Sequence, residues 1–205
     1  MRSNLLACAA LLLAATPLAA QTVTAVHGDL VLTRPGAAPL RLTDSGRDHS
    51  PVLSPDGQRV VFVRGAGTGA QGPTELWIVD ARGGGERRLV AARMSDQPKQ
   101  SLSDLQDPAF SPDGRVVYFL SDAWVTSGAV HAVDLATGRE RYVCPGNSLE
   151  VVPRGEYAGH LVVQQHRYFV GGGSYDWYWL VTPDGRDVGP LGESTEMFKE
   201  TWGAS

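Results

Sequence analysis

Ser54-Pro55-Asp56-Gly57-Gln58-Arg59-Val60-Val61-Phe62-Val63 returns 57 residues later as Ser111-Pro112-Asp113-Gly114-Arg115-Val116-Val117-Tyr118-Phe119-Leu120. Self-similarity at such a spacing marks stacked supersecondary units. In each copy the proline presets φ for the first corner of a type I turn. The aspartate suits the second corner, and the glycine takes the left-handed position that a three-residue hairpin with a bulge requires. Ser-Pro-Asp-Gly is therefore a hairpin corner with a structural role. The strand after it is β-branched and aromatic without polar alternation, which predicts burial on both faces. An antiparallel strand covered on both sides implies sheets stacked face to face, as neighbouring propeller blades are.

Working outward, each unit continues into a third strand, Glu75 to Asp80 or Val130 to Asp134. A turn and a fourth strand follow, Arg87 to Val90 or Arg141 to Val143. Four strands per unit is the count of a propeller blade. Residues 107–122 (DPAFSPDGRVVYFLSD) together with 75–90 (ELWIVDARGGGERRLV) are similar to the repeat of the TolB-like family. These are the WD-like repeats also found in tricorn-type and prolyl-oligopeptidase propellers. The resemblance implies an all-β propeller that holds a ligand or an envelope protein at the mouth of its ring. The separate N-terminal α/β domain of that family has no counterpart here, which sets the expected binding role apart from a Tol-system role.

Residues 1–20 read as a secretory signal peptide: Arg2, an apolar run from Leu5 to Ala15, and Leu18-Ala19-Ala20 before the cleavage point. The expectation is a mature domain over 21–205 in the periplasm or secreted. The apolar run is too short to span a bilayer, which takes about 20 residues. Leu5-Leu6-Ala7-Cys8 has the look of a lipoprotein box, but its apolar core follows the cysteine and does not precede it. Past the leader Cys144 is the single cysteine, so no internal disulfide forms, and a buried structural thiol is expected. The net charge is −4 with acids and bases interspersed, which argues against nucleic acid. Arg87-Arg88 and Arg139/Arg141 fall on strands expected at sheet edges, where charge guards against aggregation.

Residues 21–43 read as half a unit, with strands Leu30 to Thr33 and Leu40 to Thr43 around Pro35-Gly36. Full units follow over 47–90 and 106–143, and a degenerate one has strands near His160 to Gln165 and Tyr175 to Val181. There Thr182-Pro183-Asp184-Gly185 serves as the turn between the third and fourth strands. The total is about three and a half blades, against the usual 4 to 8 of a closed propeller. The stretch Leu191 to Ser205 completes a small ring, a second copy does, or the array is a shortened one. The long connections at 65–73 and 91–106 are where binding surfaces tend to lie.

For chemistry, Gly171-Gly172-Gly173-Ser174-Tyr175-Asp176 invites comparison with a nucleophile elbow. It lacks the final glycine and any histidine downstream, so Ser174 is expected to be a loop residue and no catalytic residue is assigned. His27, His49, His131, His160 and His166 have no ligand spacing, and Asp48, Asp107, Asp122 and Asp176 form no calcium loop, so no metal and no cofactor is expected. Tyr175, Trp177 and Trp179 lie on one side of a strand. Packed, they fill the space between blades as Trp77 does; exposed, they bind peptide or sugar, and they are the candidate binding residues. The reading is a non-catalytic binding module whose partner is an envelope protein or another copy of itself. The alternatives are a small propeller lyase or hydrolase, and a structural subunit of a larger propeller.

Overall fold

The computed structural model describes residues 21–66, 73–123 and 127–202. The expected signal peptide and part of the 65–73 loop lie outside these. The described chain forms four antiparallel meanders. The first holds β1 (Thr22–Val26), β2 (Asp29–Thr33) and β3 (Leu40–Arg41), and the second β4 (Asp48–Leu53), β5 (Arg59–Arg64), β6 (Glu75–Asp80) and β7 (Arg87–Val90). The third holds β8 (Ser103–Phe110), β9 (Val116–Asp122), β10 (Gly128–Asp134) and β11 (Glu140–Pro145). The fourth holds β12 (Glu150–Val151), β13 (Leu161–Tyr168), β14 (Ser174–Val181) and β15 (Asp187–Gly192), followed by a short helix α1 (Glu196–Thr201).

The repeated motif closes its corner as its residues require. Gly57 N–H donates to Ser54 O at 2.8 Å with Gly57 at φ 67°, and Gly114 N–H donates to Ser111 O at 2.8 Å, also with φ 67°. The serine adds a second role. Its hydroxyl donates to Asp56 Oδ1 at 2.5 Å and accepts from Arg59 N–H at 2.9 Å, which pins the turn to the strand it opens. Ser111 does the same with Asp113 and Val116 at 2.6 and 3.0 Å. Hydrogen bonds from these serines hold the Asp56 and Asp113 carboxyls below the ordinary carboxylate range. Thr182-Pro183-Asp184-Gly185 reproduces the bonds between β14 and β15, with Thr182 in the serine's place.

The doubly buried strands behave as their composition predicts. Val60 and Phe62 pack toward the first sheet with Leu30, Leu32 and Leu42. Val61 and Val63 turn the other way, to Val117, Phe119 and Val133 of the third sheet. Tyr118, Leu120 and Val130 then meet Leu161, Val163 and Val181 of the fourth. Each sheet thus packs on its sequence neighbour through a separate apolar layer. An arginine crosses each seam at the motif end: Arg34 to Ala81 O at 2.6 Å, Arg59 to Gly114 O at 2.9 Å, and Arg141 to Pro183 O at 2.7 Å.

Two readings are corrected. Residues 21–43 hold three strands, because Thr22–Val26 pairs with Asp29–Thr33 across a two-residue turn. His27 and Gly28 both take positive φ there, 53° and 80°, as a type I′ turn demands. By strand order the first sheet lacks only the counterpart of β4, β8 and β12. The described part of Leu191 to Ser205 adds no strand to that sheet; β15 ends at Gly192 and the chain turns into α1.

Candidate functional site

The connection between second and third strands of a sheet lies beside the connection that enters a sheet, as Gly65 N–H to Arg47 O and Gly146 N–H to Gly128 O show, both 3.0 Å. This end, opposite the Ser-Pro-Asp-Gly corners, carries the hairpin β13–β14. The pairs Val117↔Val133 and Leu161↔Val181 are equivalent in the repeat. Counting from them, β9 ends at Asp122 but β13 runs to Tyr168, two residues further, an overhang of roughly 7 Å at about 3.3 Å per residue.

The three candidate binding residues divide along this overhang. Trp179 sits at the repeat position of Trp77 and His131 and packs into the apolar layer against the third sheet, with the Arg167 guanidinium 3.5 Å above its ring. Arg167 is held in turn by Asp187 at 2.7 Å and by the side-chain oxygen of buried Gln165 at 2.8 Å. Tyr175 stands beyond the last pair of the third sheet and Trp177 at the repeat position of Ala129 near its end; both are half-buried. Their rings meet at 4.8 Å, and Phe169, 51% exposed, extends the row with its ring 4.6 Å from Tyr175. Tyr168 and Val170 beside them are exposed, the tyrosine at 75%. Packing therefore accounts for Trp179, and an open aromatic end is built from Phe169, Tyr175 and Trp177. Phe169 was not a sequence candidate; the signal for it was its place two residues past Arg167, the partner of Tyr175, at the tip of a hairpin closed by three glycines.

On the other face of the same hairpin, His166 and Asp176 are directly opposed, with Nδ1 2.8 Å from Oδ1. A carboxylate only accepts, so Nδ1 carries a proton, and in the neutral imidazole Nε2 is the acceptor. Ser174 is an exposed residue opposite Tyr168 at the strand start, two positions from this pair. His131 is fully buried between Phe119 and Tyr142, with Nδ1 donating to Glu140 at 2.7 Å, and Glu140 also accepts from Arg93 at 2.9 Å. Burial pushes the Glu140 carboxyl upward, and the two hydrogen bonds outweigh it and hold the group below its usual range. Among the described residues no three His, Cys, Asp or Glu side chains are grouped to hold a metal ion. Cys144 is buried, and burial raises its thiol to about 12, so it is a packing residue.

Asp48 forms a buried bidentate pair with Arg64 at 2.6 and 2.9 Å. Asp107 and Ser50 share a repeat position, each with φ just under 50° before a proline, where β8 and β4 slip register. Their left-handed backbone is thus a repeated bulge of the first strand. Burial raises the Asp122 carboxyl, with a smaller contribution from Asp104. No helix among the described residues is long and apolar enough to cross a membrane.

Four stacked antiparallel sheets with a repeated hairpin corner define a propeller-repeat protein. No protein-family profile matches the chain. Over 84 residues, 40% of this chain, it is 34% identical to the Tol-Pal system protein TolB 1 of Novosphingobium aromaticivorans, and it spans 16% of that relative. Among solved structures, TolB from Acinetobacter baumannii superposes with a TM-score of 0.51 at 17% identity, over 80% of this chain and 37% of that one. Puromycin hydrolase superposes at 0.55 and 20% identity, over 80% of this chain and 27% of that one. The chain has the fold of a β-propeller array, shared with TolB and with hydrolase propellers, and it spans 37% and 27% of the two structures it superposes on.

Proposed function

We propose that the chain is a non-catalytic binding module of the cell envelope, exported to the periplasm, that takes hold of a protein partner through the open end of β13–β14. The observation that carries this reading is the contiguous row Phe169–Tyr175–Trp177 on a hairpin that overhangs its neighbouring sheet. Aromatic side chains bring large contact area at small entropic loss and dominate interface energetics. The rings contact one another at tilts of 40° and 53°, so they present edges and corners suited to a protein cleft; a sugar needs flat open faces. The likeness to a Tol-Pal protein supports an envelope setting.

The test is crosslinking in intact cells, affinity purification of the tagged chain and mass spectrometry, run in parallel on wild type and a Phe169→Ser/Trp177→Ser variant. One envelope protein recovered with wild type and lost from the folded variant is the expected result. Equal recovery with both refutes this surface. A second reading, a small hydrolase, draws on the opposed His166–Asp176 pair with its free Nε2 and on the hydrolase among the structural neighbours. A hydrolytic activity lost in His166→Gln would select it.

A further inference from the structure

The outer face of the fourth sheet stands where a fifth sheet would stack. In the repeat, Val162 and Leu180 occupy the positions that Tyr118 and Ala132 hold in the third sheet, and those two are buried against the fourth. On the fourth sheet the same positions are buried just as fully, yet by another element. Val152, Val162 and Leu180 form a small apolar cluster closed over by Tyr157, Tyr178, Leu191 and two residues at α1, Phe198 and Trp202. The Phe198 ring lies 5.9 Å from both Tyr157 and Trp202. Polar bonds tie the helix down at its edges: Lys199 to Glu150 at 2.5 Å, and Arg154 Nε to Trp202 O at 2.6 Å.

Further along the same face the residues change character. Gln164 stands at the position of Leu120, and His166 at that of Asp122, so the surface that α1 leaves open is polar. At the other end of the stack the outer face of the first sheet is mixed: Thr22, Thr24, Asp29 and Thr33, together with Val31 and the exposed Val26, point away from the layer that Val23, Leu30 and Leu32 enter. Repeat arrays need terminal elements with a polar outer side to stay soluble.

We propose that α1 is a cap on the outer face of the fourth sheet. It takes the place of a fifth sheet there, so residues 21–205 fold and stay monomeric with that face covered by the helix. The apolar half of the face beneath it fits one occupant besides the helix, the sheet face of a second copy. Lifting the cap therefore converts a monomer into a self-associating chain.

The test compares residues 21–205 with a Phe198→Ser/Trp202→Ser variant, by light-scattering mass and by hydrogen exchange of β13 and β14. A monomeric wild type is expected, with Val162 and Leu180 amides as protected as Phe119. In the variant those amides should exchange at least tenfold faster, since losing even part of the burial of two aromatic rings exceeds the ~1.4 kcal/mol that a tenfold change represents. Exchange in β5 and β9 should be unchanged, and the mass should rise with concentration toward two copies. A wild type that is itself dimeric, or unchanged exchange in β13 and β14, overturns the proposal. If the double variant does not fold, Phe198→Ala alone is read the same way, with about fivefold faster exchange confined to the fourth sheet as the expected result and no change as the refuting one.

Discussion

Removing Asp48 tests the energetics of the second sheet most directly. Arg64 is 8% exposed, and its guanidinium is gripped through Nε and Nη2 by Asp48, through Nη1 by Glu86 at 2.7 Å, and lies 4.4 Å over the Trp77 ring. Breaking a buried pair by deleting one member typically costs 3–5 kcal/mol, because the surviving charge is left without its partner. Here Glu86 and Trp77 stay in place, which puts Asp48→Ala at the low end, about 3 kcal/mol. For a domain of this size that is a fall in Tm of roughly 9 °C. Replacing both members with apolar groups, Asp48→Leu with Arg64→Met, leaves no charge stranded and should return stability to within about 1 kcal/mol of wild type. Urea unfolding followed by tryptophan fluorescence at pH 7 reads all three chains. Burial raises the Asp48 carboxyl, but bonds from Arg64, Thr43 and Ser45 outweigh it and leave it below the ordinary value. A depressed carboxylate stabilises above its unfolded pKa and loses that contribution as pH falls through the folded one. The gap between wild type and Asp48→Ala should therefore be full at pH 6 and shrink only once the pH drops below about 4. A loss under 1 kcal/mol for Asp48→Ala, or a double variant worse than either single one, would refute the reasoning.

Cys144, with its thiol raised to about 12 by burial, should resist an aromatic disulfide reagent at pH 8 in the native chain and react fully in urea. A Cβ on Gly146 would come within 2.3 Å of Val163 Cγ1, so Gly146→Ala should lower stability by about 2 kcal/mol, whereas Gly171→Ala, with open space around it, should not measurably change it. Asp56→Ala and Asp113→Ala each delete a serine-to-carboxylate bond in an exposed corner; after discounting for solvent, each should cost about 1 kcal/mol by urea unfolding, and the two losses should add, because the corners belong to different sheets.

The Ser-Pro-Asp-Gly corners and the unbroken Val-Val-Phe-Val and Val-Val-Tyr-Phe-Leu runs were legible because turn chemistry and double burial are written in adjacent residues. β1 was missed because its turn is His27-Gly28, where the familiar type I′ signal has asparagine or aspartate ahead of glycine. The helix at Glu196–Thr201 is too short to show a period, and it is held by Tyr157 and Leu191 rather than by its own propensity. At the candidate site the alternation of Tyr175, Trp177 and Trp179 was visible. What sets Tyr175 apart is how far the third sheet extends, a property of another strand. The His166–Asp176 pair depends on the register between β13 and β14, which spacing along the chain does not reveal.

Across the seams Arg34, Arg59 and Arg141 reach main-chain carbonyls of the neighbouring sheet, in three different turns, rather than particular side chains. A carbonyl is present at each of these turns whatever residue occupies it, so each joint makes no demand on the identity of its acceptor residue. The acceptor residue in each turn can therefore change in the gene without loss of the joint. The residues that must change together are confined to the apolar layer on either side of the seam.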